Sequence, residues 1–143
     1  MNSTNFAKNY ADFYDNLTPA STKEEYAVYF DEYSSFEDPF QRVQGFESIH
    51  HIFVDMYEKL YIARFIVDEV ISNDDVTYLR WTFHYARSST HKMDSFIGVS
   101  RVTFSEDGKV KSHIDYWDAA QHVYEKVPLL GSILRFIKRK LHA

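Results

Sequence analysis

No cysteine occurs in the 143 residues, and there are only four glycines and three prolines. Without thiols the chain can form no disulfide, thiolate metal site or cysteine nucleophile, which fits a reducing compartment. So few glycines leave little material for a loop that cradles phosphate. Neither a P-loop, a dinucleotide fingerprint nor a Gly-x-Ser-x-Gly elbow is present. No apolar run reaches the ~18 residues that a membrane span needs. The first residues, Met1 to Lys8, lack the charged-then-apolar layout of a signal peptide, so a cytoplasmic location is expected. His50 and His51 point to different sides of a helix and no His-x-x-x-His pair occurs, so neither a metal nor a cofactor is expected.

Acid is missing from one region only. From Lys126 onward there are five basic residues (Lys126, Arg135, Lys138, Arg139, Lys140) and no acidic one. The preceding 125 residues then hold 11 basic against all 21 acidic residues, a net charge of −10. Such a body repels nucleic acid, and no nucleic-acid partner is expected.

What the chain has in quantity is aromatic: 12 Phe, 11 Tyr and 2 Trp. That content suits a bent sheet around a cavity and equally a well-packed core. The length predicts one domain spanning residues 1–143. Phe6, Tyr10, Phe13, Tyr14 and Leu17 recur at helical spacing, with Ser3 or Thr4 as a cap. Thr18-Pro19 reads as the start of a second helix that buries Tyr26, Tyr29 and Phe30. A short strand over Tyr33–Asp38 ends at Pro39, and Gly45 precedes a third helix with Phe46, Ile49 and Phe53 on its apolar stripe. Four strands follow at Phe65–Ser72, Val76–Tyr85, Ser95–Phe104 and Lys109–Trp117, separated by turn signals. After Asp118 the pattern is helical again, with a break at Pro128. Helices first and hairpin-linked strands afterwards predict an α+β fold, with helices covering one face of a mostly antiparallel sheet.

This order, together with Phe36-Glu37-Asp38-Pro39-Phe40, Val43-Gln44-Gly45, Gly98-Val99-Ser100 and Asp115-Tyr116-Trp117-Asp118, resembles the nuclear transport factor 2-like superfamily. The likeness is to its SnoaL-like and ketosteroid-isomerase-like branch. It implies a cone in which a curved sheet wraps around the N-terminal helices, an apolar pocket for a small apolar ligand, and a homodimer.

Several residues are candidates for chemistry. In the isomerase resemblance Asp38, in Glu-Asp-Pro, is the proton-shuttling base, and Phe36 and Phe40 could supply the apolar surroundings that raise a carboxyl pKa. Tyr14, 24 positions earlier, matches the oxyanion-donating tyrosine. Ser100 falls where the family's protonated Asp belongs. The last strand resembles the end of limonene epoxide hydrolase, which makes Asp115 and Arg80 a water-activating pair. Thr82 replaces that enzyme's second Asp, and His113, on the same strand face as Asp115 and Trp117, could act as the base instead. Phe36, Phe53, Ser100 and Trp117 are candidate ligand-binding residues. In β-spacing Leu79, Trp81, Phe83 and Tyr85 share one face and Tyr78, Arg80, Thr82 and His84 the other. The hydrolase reading requires Arg80 inside, and the pattern alone allows either face inward.

The tail is an amphipathic basic helix. Leu130, Leu134, Ile137 and Leu141 form one stripe with Ile133 and Phe136 beside it, and the cations lie mainly opposite. It could lie on anionic lipid, or it could dock on the protein's own acidic body, which is the expected arrangement.

Overall fold

The computed structural model describes residues 3–142. Helix α1 (Ser3–Asp15) and helix α2 (Lys23–Tyr29) lead into strands β1 (Ser35–Glu37) and β2 (Arg42–Gln44), then helix α3 (Phe46–Lys59). Strands β3 (Ile62–Ser72), β4 (Thr77–Ala86), β5 (Asp94–Phe104) and β6 (Val110–Tyr116) follow. The chain ends in a short helix α4 (Ala119–His122), a 3-10 turn (Tyr124–Lys126) and helix α5 (Leu130–Leu141). The six strands form one curved, unclosed sheet in the order β2-β1-β6-β5-β4-β3, and the fold is α+β as the pattern implies. All neighbours are antiparallel except β1 and β6, which run parallel. Among the described residues no helix is long and apolar enough to cross a membrane.

Two local readings differ from the sequence expectation, and a third is untested. The second helix starts at Lys23, not at Pro19. Thr22 is its cap, and it exchanges hydrogen bonds with Glu25 in a capping box that satisfies two free N–H groups at once. Thr18 instead holds a turn, its hydroxyl accepting from Ala20 N. Strand β2 is absent from the expectation because three residues carry too little alternation to register. The side chains of Ser3 and Thr4, expected to cap α1, lie outside the described residues.

Strand β4 settles which face of the sheet is inside. Leu79, Trp81, Phe83 and Tyr85 are buried, while Arg80, Thr82 and His84 are part-exposed on the other side. Burying three large aromatic residues and a leucine outweighs any arrangement that would put Arg80 indoors, since each such side chain contributes about 2 kcal/mol. Helix α1 fills the concave side: Tyr14 packs on Phe65, Phe53 and Trp81, and Tyr10 on Phe30 and Phe104. A bulge between Val67 and Glu69 bends β3, and the Val67 N–H it frees donates to Asp15 Oδ1 at the end of α1 (2.7 Å). The helix is thereby tied to the edge strand of the sheet.

The aromatic core gives an alkaline signature. Burial pushes the phenols of Tyr10 and Tyr14 well above their ordinary value, raises Tyr26, and raises Tyr57 to about 12. A raised folded-state pKa leaves stability intact below the unfolded value of ~10 and removes it as pH climbs through the folded values. These four tyrosines are expected to ionise only as the chain unfolds. The share of the phenolate absorbance that these four contribute should appear only as far-ultraviolet circular dichroism is lost. Ionisation of all eleven tyrosines before any loss of dichroism would contradict this packing.

Candidate functional site

The site is built on β6. Alternation along this strand puts His113 and Asp115 on the concave face, two residues apart. Cross-strand register supplies their neighbours: Ser100 of β5 lies opposite Asp115, and Phe36 of β1 lies opposite His113. Phe36 stacks flat on the imidazole, with ring centres 4.6 Å apart.

A single chain of hydrogen bonds runs through these residues into helix α1 and strand β4. Trp81 Nε1–H donates to Ser100 Oγ (2.8 Å), and Ser100 donates to Asp115 Oδ1 (2.5 Å). His113 Nε2 meets the same oxygen at 2.6 Å, and Tyr10 Oη lies 2.7 Å from His113 Nδ1. The donor inventory sets the direction. An indole can only donate, so the Ser100 proton points onward to the carboxylate. An ionised carboxylate can only accept, so His113 carries its proton on Nε2. Tyr10 keeps its own proton, because burial first and the nearby Asp115 charge second both raise its pKa. It therefore donates to the free Nδ1. Every polar atom of the chain is satisfied except one: Asp115 Oδ2 has no hydrogen-bond partner among the described residues.

Two features hold this arrangement. Gly98 lies opposite Trp81, and a Cβ there would come within 2.3 Å of the indole ring. The missing side chain lets the indole lie across β5 and reach Ser100. Tyr14, one helical turn beyond Tyr10, packs against His113, and its hydroxyl is buried with no partner among the described residues. Its phenol is raised chiefly by burial and next by the charge of Asp115, with Asp38 a smaller contributor.

Asp115 is 8% exposed, and it reaches the surface through a recess of about 610 Å³ at the ends of β1 and β6. Asp38, Pro39, Trp117 and Asp118 share this wall. Trp117 stacks on Phe96 and packs edge-on against Phe40, which also meets Tyr124 of the 3-10 turn. The C-terminal segment therefore borders the recess. It is stapled there by Lys126, which pairs with Asp94 and lowers that carboxyl's pKa.

The residues expected from sequence fall into three groups. Asp115, His113, Ser100 and Tyr14 come together around one carboxylate. Asp38 lines the same recess, but its own turn occupies both of its oxygens. Oδ1 accepts from the backbone of Phe40 and Gln41, and Oδ2 from the Gln41 side chain. Arg80 is remote from the site, on the convex face, where it pairs with Asp68 at 2.7 Å. Of the ligand-binding candidates, Trp117 lines the recess, Ser100 holds Asp115, and Phe36 and Phe53 are core residues behind His113. His113 itself is 0% exposed, so it stands behind Asp115 and does not open to the recess. Tyr10 and Trp81, the two ends of the hydrogen-bond chain, are absent from the sequence-derived site. Tyr10 shares a helix face with Tyr14, and only its depth against β6 distinguishes the two.

The family model for the SnoaL-like domain matches residues 10–113. The chain belongs to the SnoaL-like family. Solved structures of similar fold include a candidate SnoaL-like polyketide cyclase from Jannaschia sp. CCS1, with a TM-score of 0.71 and 14% identity over 82% of this chain and 88% of that one. A candidate isomerase of the SnoaL-like family from Agrobacterium tumefaciens str. C58 has a TM-score of 0.64 and 16% identity, covering 80% and 96% of the two chains. TerC, co-crystallised with polyporic acid, has a TM-score of 0.64 and 18% identity, covering 78% and 87%. At such identities the likeness is one of fold. No curated protein matches the sequence significantly. In this SnoaL-like chain the matched stretch ends at His113, so Asp115, the recess wall after it and helix α5 lie just beyond it.

Proposed function

We propose that this SnoaL-like protein is an enzyme that moves a proton on a small, largely apolar molecule, with Asp115 as the base. The observation that carries this reading is the carboxylate itself: one oxygen is held by two donors, the other is free, and the residue borders a recess. A base needs a fixed direction and a free lone pair, and both are present. Oδ2 takes a proton from the carbon between a carbonyl and a C=C bond, and the C–H electrons pass to the carbonyl oxygen to give a dienolate. The Asp115 carboxyl returns the proton to the far carbon of the dienolate, re-forming the carbonyl and moving the double bond into conjugation. Tyr14 is fully buried and does not line the recess, so its hydroxyl belongs to the core and is not the donor to that oxygen. His113 and Ser100 act as positioning residues through Oδ1. A proton shuttle of this kind is favoured over epoxide opening, because Arg80 is paired with Asp68 on the convex face.

The test uses protein purified from its source, with retained molecules extracted and identified by mass spectrometry. The extracted molecule is then incubated in deuterated water with wild type or with Asp115→Asn. The amide keeps the shape and can still accept at its oxygen. Wild type is expected to incorporate deuterium on carbon, and the variant to lose at least ~100-fold in rate, the lower end of a positioned base's contribution. Equal incorporation by both proteins would remove Asp115 as the base, and none by wild type would leave the recess as a carrier site without chemistry.

A further inference from the structure

Helix α5 is docked by its polar side and turns its apolar side outward. Gly131 packs against the carbonyl of Glu125, where a Cβ would come within 1.9 Å. Arg135 donates to that same carbonyl (3.0 Å), and Lys138 pairs with the Glu125 carboxylate (3.1 Å). These three residues lie on one side of the helix at i, i+4 and i+7. Leu130, Ile133, Phe136, Ile137 and Leu141 lie away from that side and are between 40% and 80% exposed. The expected docking on the acidic body therefore does not bury the stripe. A twelve-residue helix that leaves five large apolar side chains in water has its binding face unoccupied.

The charge pattern indicates the occupant. Lys138 and Lys140 flank the stripe on opposite sides, Lys140 over the Phe136 ring at 5.5 Å, and α5 contains no acidic residue. Arg139 and Lys140 form no ion pair among the described residues. Two copies of α5 packed stripe to stripe would bring these flanking cations together. A bilayer containing acidic lipids supplies an apolar interior for the stripe and anions for cations that reach up beside it. We infer that α5 is an interfacial anchor that lays its Leu130–Leu141 stripe into the surface of an anionic lipid bilayer. The recess borders the segment from which α5 emerges, through Phe40 and Tyr124, so the anchor would hold that end of the protein toward the membrane. This inference stands independently of the chemistry proposed for Asp115.

The full-length protein should be centrifuged with vesicles of phosphatidylcholine alone and with vesicles of equal parts phosphatidylcholine and phosphatidylglycerol. Wild type is expected to partition onto the anionic vesicles, and less so in high salt. Ile137→Asp should reduce the partition coefficient by at least about tenfold, and Lys140→Gln by about fivefold. Ile137 and Lys140 are exposed, so unchanged thermal unfolding will show that the variants are folded. Equal partition of wild type and Ile137→Asp on anionic vesicles would overturn the inference. So would a dimer, seen by light scattering without vesicle binding, that Ile137→Asp dissociates, because a second copy would then own the stripe.

Discussion

Trp81→Ala is expected to destabilise the protein by about 4 kcal/mol, a large share of the roughly 5–15 kcal/mol typical of a domain. Trp81 is buried, packs edge-on against Phe65 with ring centres 5.1 Å apart, and closes the interior beside Tyr14 and Phe96. Its removal leaves a cavity that the rigid strands cannot collapse, because Gly98 beneath it has no side chain to move in. It also leaves Ser100 without its donor. Trp81→Phe keeps much of the packing with a smaller ring, and loses the indole N–H and the ring atoms over Gly98, for a cost of about 2 kcal/mol. Urea unfolding followed by circular dichroism measures both. If the two variants cost the same, packing contributes little and the view of Trp81 as the keystone of the interior is wrong.

The second large effect concerns the carboxylate. Asp115→Ala should cost about 3 kcal/mol, because it strands two buried donors, Ser100 Oγ–H and His113 Nε2–H, with no acceptor. Asp115→Asn should cost less than about 1.5 kcal/mol, since its carbonyl oxygen can accept from both donors while its amide nitrogen takes the free position. The same pair of variants therefore separates stability from chemistry. Asn keeps the hydrogen bonds and loses the base, whereas Ala loses both. Equal destabilisation by Ala and Asn in urea would mean that the hydrogen bonds to Oδ1 do not hold the site together.

Much of this was legible along the chain. The separation of His113 and Asp115 by two residues puts them on one strand face whatever the rest of the protein does. The spacing of Tyr10 and Tyr14 puts both on one helix face for the same kind of reason. Asp38 shows where local reading stops: a carboxylate before Pro39 can look into a pocket or back at its own turn, and hydrogen bonds from Phe40 and Gln41 choose the turn. Ser100 shows it again. Its distance from Asp115 is set by the register of β5 on β6, which an irregularity between Thr103 and Phe104 shifts, and alternation along either strand does not show that shift.

Sequence by itself determined the order of elements, the alternating and helical faces, the aromatic core and the cationic amphipathic tail. Each follows from periods of two and 3.6 residues and from composition, which are properties of neighbours along the chain. Tertiary structure alone decided that the aromatic face of β4 turns inward and Arg80 outward. It also decided that Tyr10, 103 residues away, pairs with His113, and that α5 meets the body with its polar side. Those outcomes depend on which surface is available to be buried, and that surface exists only once the sheet has curved around α1.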